Sequence, residues 1–139
     1  MTSRDWVFDT NVLISAALSR QGSPYALVQR VLADARIVFS EPTVEELRSR
    51  LYRPKFDRYI NLEMRERVLR DLSACAIWVE IDHQGGWSSD PDDDKFIATA
   101  LKATGAVLVS GDSDLLTARV PADLRILTPA QALAEIRSL

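Results

Sequence analysis

Ala106-Val-Leu-Val-Ser-Gly-Asp-Ser-Asp-Leu115 joins a short apolar run to a small-residue turn and two acids. The apolar run is too short for a buried helix and reads as a strand covered on both faces. Similar runs stand at Trp6-Val-Phe8, Ile37-Val-Phe39, Ile77-Trp-Val79 and Arg125-Ile-Leu127, with longer stretches of helical periodicity between them. Ser23-Pro24, Asp90-Pro91 and Thr128-Pro129 each place a capping side chain before a proline at the first helical position. Strands alternating with helices imply right-handed crossovers. The predicted fold class is therefore α/β, a three-layer sandwich with a central, mostly parallel five-stranded sheet flanked by helices. No repeat, low-complexity tract or Gly/Ser linker divides the sequence, so residues 1–139 are expected to form a single domain.

At 139 residues and 47% hydrophobic composition the chain has enough apolar material for its own core. Its apolar runs are too short to span a membrane, and Met1-Thr-Ser-Arg-Asp lacks the pattern of a secretion signal, so a cytoplasmic location is expected. Cys75 and His83 are the sole cysteine and histidine, which excludes an intramolecular disulfide and a Cys/His zinc site. Any metal must be held by oxygen.

The net charge of -3 is unevenly spread. Residues 48 to 70 hold eight bases (Arg48, Arg50, Arg53, Lys55, Arg58, Arg65, Arg67, Arg70) against three acids (Asp57, Glu63, Glu66), a local +5 that leaves -8 elsewhere. A basic arm beside an acidic body suits a polyanion held next to a metal-loaded carboxylate pocket. The ordinary explanation is a solvated helical face with internal ion pairs.

Ligands of open α/β sheets bind at the carboxyl ends of the strands, which makes the placement of the acids informative. Asp9 directly follows the first apolar run, Glu41 follows the second after Ser40, and Asp112 follows the fourth after Ser110-Gly111. Asp93 shares a helical face with Phe96, Ile97 and Ala100, which places it in the first turn of its helix, pointing inward. Clustered carboxylates raise each other's pKa unless a cation neutralises them. All-oxygen ligation suits Mg2+ or Mn2+, which can activate water and stabilise the leaving oxygen in phosphodiester cleavage.

Four segments, in order, resemble the motifs of PIN-domain nucleases: Asp9-Thr-Asn11, Glu46-Leu47, Asp93 with Phe96-Ile-Ala-Thr-Ala100, and Ser110-Gly-Asp-Ser-Asp-Leu115. The stretch from Glu46-Leu47-Arg48 to Arg53-Pro-Lys55-Phe56 is also similar to a bacterial, VapC-like branch of toxin components from toxin-antitoxin pairs. The resemblance covers Asp9 to about Leu116 and implies a single-strand-selective endoribonuclease that uses Mg2+ or Mn2+. It implies Asp9, Glu46, Asp93 and Asp112 as catalytic metal ligands, Asn11 as the residue that orients the first of them, and Asp114 as an auxiliary acid. It also implies a homodimer and a cognate antitoxin protein. A one-residue shift makes Asp94 the ligand instead of Asp93, and Glu41 and Glu45 compete with Glu46, which the Glu-Leu pairing favours.

Each acid has an ordinary explanation too. Thr43-Val-Glu-Glu46 fits a capping box, Asp92, Asp93 and Asp94 can complement a helix dipole, and Asp112 and Asp114 can be loop acids or caps. Asp9 is harder to explain away, because an acid joined to a buried strand needs a partner or an ion. His83 is expected at the surface near Gln84-Gly-Gly86, Trp78 in the core, and Trp87 in packing rather than stacked on a base.

The expected chemistry is in-line hydrolysis of RNA to a 5'-phosphate and a 3'-hydroxyl, with Arg48, Arg50, Arg53 and Lys55 holding the strand. Two rivals stand beside it. An aspartate-dependent phosphatase would need a second Asp where Asn11 stands, and no lysine falls at a clear site position. A PIN-like RNA- or protein-binding module without catalysis would leave the acids vestigial.

Overall fold

A computed structural model describes residues 4–82, 85–103 and 105–137. The expectation for His83 lies outside them. Five strands form one sheet: β1 (Asp5–Phe8), β2 (Arg36–Phe39), β3 (Ile77–Trp78), β4 (Val107–Val109) and β5 (Arg125–Leu127). Their order is β3-β2-β1-β4-β5, and each neighbouring pair is parallel. The expected "mostly parallel" sheet is thus parallel throughout its described pairings. The helices are α1 (Thr10–Leu18), α2 (Ser23–Asp34), α3 (Glu41–Leu51), α4 (Leu62–Cys75), α5 (Asp94–Lys102), α6 (Ser113–Leu116) and α7 (Pro129–Arg137), with 3-10 turns at Pro54–Phe56 and Pro91–Asp93.

Alternation along each strand sorts its side chains to opposite faces. Trp6, Phe8, Ile37, Phe39, Val107 and Val109 pack with residues of α1, α2, α3, α4 and α7. Val7, Val38 and Leu108 point the other way, against Phe96, Ile97 and Ala100 of α5, with Leu115 and Leu124. Both faces are therefore covered, which is why the strands read as unbroken apolar runs. Trp78 is the exception: it is 47% exposed rather than in the core. β3 is an edge strand, where Trp78 meets Phe39 edge-on and donates its indole N–H to Ser73 O. Trp87 is half-buried and packs against the α5 side of the core.

The helix starts depart from the sequence pattern in two places. The residue before α2 is Gly22, at φ 93°, which puts Ser23 inside the helix and Pro24 in its first turn. The start of α3 is fixed by Ser40, whose backbone N–H donates to Thr43 Oγ1. The capping box thus lies one turn earlier than the Thr43-to-Glu46 spacing suggested, and Glu46 is free for another role. Thr128 behaves as expected, exchanging hydrogen bonds with Gln131 at the start of α7.

The strand order fixes where a ligand would sit. From β1 the chain builds outward through β2 and β3, then returns to the other side of β1 with β4 and β5. The reversal between β1 and β4 opens a crevice at their carboxyl ends, the usual binding position in such sheets.

Candidate active site

Asp9 and Ser110 are the residues that follow β1 and β4, and pairing of Phe8 with Val109 brings them side by side. The Asp9 N–H donates to Val109 O at 2.9 Å. Asp9 is buried, yet both its oxygens are served: Ser110 Oγ donates to Oδ2 at 2.6 Å and the Asn11 N–H donates to Oδ1 at 2.9 Å. Asn11, expected to orient the first ligand, reaches Asp9 through its backbone N–H, and the residue itself is exposed. Burial raises the Asp9 pKa, the two hydrogen bonds oppose that rise, and the charges of Asp112 and Glu46 reinforce it.

Asp112 stands at the start of α6, and its Oδ1 accepts the Asp114 N–H at 2.9 Å. The ordinary explanation of Asp112 as a cap therefore holds for one of its oxygens. Its own N–H is bound by Ser110 Oγ at 2.9 Å, so one serine hydroxyl ties Asp9 to Asp112. Asp114 Oδ1 accepts from Ser89 Oγ at 2.8 Å.

Asp93 is not in the first turn of α5. Pro91 opens a 3-10 turn that Asp93 N–H closes on Asp90 O, and α5 begins one residue later. Asp93 Oδ2 is buried without a hydrogen-bond partner. Its carboxyl is pushed up to about 6, by burial first and then by the charges of Asp112, Asp90, Asp9 and Glu46. Asp94 has a different environment. It is buried and accepts from the Gly86 N–H at 3.0 Å and the Ser88 N–H at 2.8 Å, anchoring the preceding loop. Gly85 belongs to the same arrangement, since a Cβ there would meet Asp94 Oδ2 at 2.9 Å.

The three glutamates of α3 separate cleanly. Glu41 is exposed at the first position, and Glu45 is exposed and paired with Arg48. Glu46 turns inward, where it accepts from Thr10 Oγ1 and from Arg50 at 3.1 Å and forms an ion pair with Lys95 at 2.9 Å. Lys95 is a lysine in the site, contrary to the expectation that none lies there. It stands beside Glu46, and the position two residues after Asp9 is still Asn11.

Asp93 thus feels the charges of Asp9, Glu46 and Asp112, and Asp9 those of Asp112 and Glu46. Among the described residues, the acids whose carboxylate oxygens come within 4.8 Å of each other are Asp90, Asp93 and Asp114. That trio shares Asp93 with the expected quartet but differs from it otherwise. Asp90 is exposed and its Oδ1 holds the Asp92 N–H, whereas Asp9 is buried at a strand end. The juxtaposition of Asp90 with Asp93 was hidden in a run of similar acids; the signal for it was Pro91, which forces the tight turn.

The arrangement fits a divalent cation. Like charges lie close enough to raise two of the acids, and one carboxylate oxygen of Asp93 is buried with no hydrogen-bond partner.

The basic arm is less uniform than its sequence. Arg65 is buried, donating to Leu51 O at 2.8 Å and to Asp57 at 3.0 Å, so it holds structure. Arg48 and Arg50 are engaged by Glu45 and Glu46. Arg53 and Lys55 are exposed, with Lys55 Nζ 5.1 Å from the centre of the Phe56 ring.

Comparison with known proteins identifies relatives of the chain and of its fold. The uncharacterised protein MJ1680 of Methanocaldococcus jannaschii is 28% identical over 115 residues, covering 81% of this chain and 74% of that one. The fold is similar to VapBC2 from Rickettsia felis, solved bound to a DNA fragment from its promoter, with a TM-score of 0.60 and 16% identity over 89% of this chain and 98% of that one. It is also similar to PAE2754 from Pyrobaculum aerophilum, with a TM-score of 0.57 and 14% identity over 98% and 91% of the two chains. The PIN domain of RRP44 from T. brucei gives a TM-score of 0.54 and 14% identity over 99% and 83%. Residues 5–114 match the family model described as PIN domain, a span that holds Asp9, Glu46, Asp93 and Asp112, and the chain belongs to the PIN domain family.

Proposed function

We propose that this protein is a metal-dependent endoribonuclease that hydrolyses phosphodiester bonds of single-stranded RNA, with Asp9, Glu46, Asp93 and Asp112 holding Mg2+ or Mn2+. The observation that carries the reading is the buried, unpartnered Asp93 Oδ2 among like charges at the β1/β4 switch point. When bound, the cation supplies charge neutralisation, polarisation of the scissile phosphate and activation of water. The protein's own groups provide the rest. Ser110 and the Asn11 N–H hold the Asp9 carboxyl in its buried position and oppose the rise of its pKa. The α6 start fixes Asp112 and leaves its second oxygen for ligation. Arg53 and Lys55 retain the RNA backbone, while Arg48 and Arg50 join them only by giving up their glutamate partners.

The structural likeness to VapBC2 supports a second element of the proposal, that the enzyme is the toxin of a toxin-antitoxin pair, held inactive by an antitoxin protein. The test is cleavage of a mixed single-stranded RNA pool by wild type and Asp9→Asn, with and without Mg2+ or Mn2+. Metal-dependent cleavage lost in Asp9→Asn, giving 5'-phosphate and 3'-hydroxyl ends, is the expected result. Equal cleavage by both proteins would reject this site, 2',3'-cyclic ends would reject the hydrolytic scheme, and no cleavage with any metal would favour a binding module.

A further inference from the structure

Glu46 is held by three donors from three helices. Oε1 lies 2.9 Å from Lys95 Nζ of α5 and 3.1 Å from Arg50 Nη2 of α3 itself, and Oε2 accepts from Thr10 Oγ1 of α1. A carboxylate offers roughly two lone-pair sites on each oxygen. In this arrangement Oε1 faces two cationic groups, whereas Oε2 faces a neutral hydroxyl.

Lys95 differs from the other two donors in what else it holds. Its ammonium also donates to Asp92 O at 2.8 Å, in the turn that carries Asp93. The backbone at the same residue is anchored as well: Thr99 Oγ1 donates to Lys95 O at 2.7 Å, and the Thr99 hydroxyl lies 2.8 Å from the Ser40 hydroxyl at the start of α3. The start of α5 is thus stitched to α3 at two levels, one buried and one in the site. Lys95 Nζ also lies 5.5 Å from the centre of the Phe96 ring, a further restraint on its position.

The geometry points to Lys95 as a positioning residue that clamps Glu46 Oε1 to the turn bearing Asp93, leaving Oε2 as the atom through which Glu46 meets a divalent cation. This rests on the proposed metal site and concerns how that site is kept in shape. Two effects of the ammonium oppose each other. Its charge repels a cation, so its removal on Coulomb grounds alone tightens cation binding. Its ion pair with Glu46 and its hydrogen bond to Asp92 O hold a ligand in place, and losing a partner that orients a ligand weakens metal affinity.

The sign of the change decides between them. Mn2+ binding is measured on RNA-free protein by calorimetry, for wild type, K95M, K95R and D93N, with folding checked by circular dichroism. We expect K95M to bind Mn2+ at least about tenfold more weakly than wild type, with K95R restoring most of the loss. Should K95M fail to fold, K95Q serves for the same comparison. Unchanged or tighter Mn2+ binding by a folded K95M or K95Q would overturn the positioning role. So would unaltered Mn2+ affinity combined with a raised KM for RNA, because Lys95 would then be contacting substrate. Wild-type binding no stronger than that of D93N would overturn the cation site itself, and this inference with it.

Discussion

Ser110 Oγ donates to Asp9 Oδ2 at 2.6 Å and accepts the Asp112 N–H at 2.9 Å, joining acids that close β1 and β4. The serine is buried, so its hydroxyl has no water to fall back on. Ser110→Ala leaves the Asp112 N–H without this acceptor and removes one of the two bonds that oppose the rise of the Asp9 pKa. The expected cost is about 2 kcal/mol in stability by denaturant titration, since orphaned buried groups each cost about 1 to 3 kcal/mol. Metal affinity falls as well, by roughly tenfold or more, as for other residues that orient a ligand. Metal binding unchanged in a folded Ser110→Ala would show that Asp9 needs no such support.

Asp93 and Asp94 are adjacent acids with opposite predicted effects. Asp93→Asn removes a carboxyl whose pKa burial and four like charges have pushed up to about 6, so the metal-free protein becomes more stable. After allowance for solvent screening the gain is about 1 kcal/mol. Asp94→Ala strips the Gly86 and Ser88 amides of their acceptor and destabilises the protein by about 2 kcal/mol. Thermal melts in the presence of a chelator read both. A stabilising Asp94→Ala or a destabilising Asp93→Asn would reverse the roles assigned to them.

How much of this was legible in the sequence depends on the length scale of the signal. Strand positions were readable because strands covered on both faces must be apolar throughout, as Val107-Leu-Val109 is. The edge position of β3 was not, because Ile77-Trp-Val79 is as apolar as a central strand, and only pairing in space shows that Trp78 lies at the rim. Asp9 and Asp112 were legible as acids at strand ends. Thr10 and Ser110 were present in the motifs and Lys95 lay beside one, all without a role, since what they do depends on groups 36, 101 and 49 positions away. The capping box was misplaced by one turn because Ser40 and Thr43 offer the same chemistry as Thr43 and Glu46, and the end of β2 decides between them.

The basic arm divides into structural and exposed charges. Arg65→Met removes a buried guanidinium that satisfies Leu51 O and pairs with Asp57, and should destabilise the fold by about 2 to 4 kcal/mol. The double change Arg53→Ala with Lys55→Ala should leave stability nearly untouched. It should weaken RNA binding and flatten its log-log salt dependence by about 1.4, two phosphate contacts at roughly 0.7 each for a single strand. Filter binding across a salt series checks this; an unaltered slope would remove these two residues from the RNA path.

The raised acids also fix the pH response of the metal-free protein. Asp93 binds its proton more tightly when folded, at about 6, than its ordinary value of 3.8, and Asp9 is shifted in the same direction. Between about pH 4 and pH 6 the folded state therefore holds more protons than the unfolded chain, and these groups make stability fall as pH rises. Their contribution is full below the unfolded value and lost above the folded one. A divalent cation binds the ionised acids, so saturating Mg2+ should offset the fall and reverse the contribution of these acids to the slope. At about a hundred times its dissociation constant it adds about 2.7 kcal/mol. Denaturant midpoints from pH 4 to 7, with chelator and with Mg2+, test the pair of slopes, and Asp93→Asn should flatten both. A midpoint difference between Mg2+ and chelator that stays constant across this range would show that proton and cation do not compete for these carboxylates.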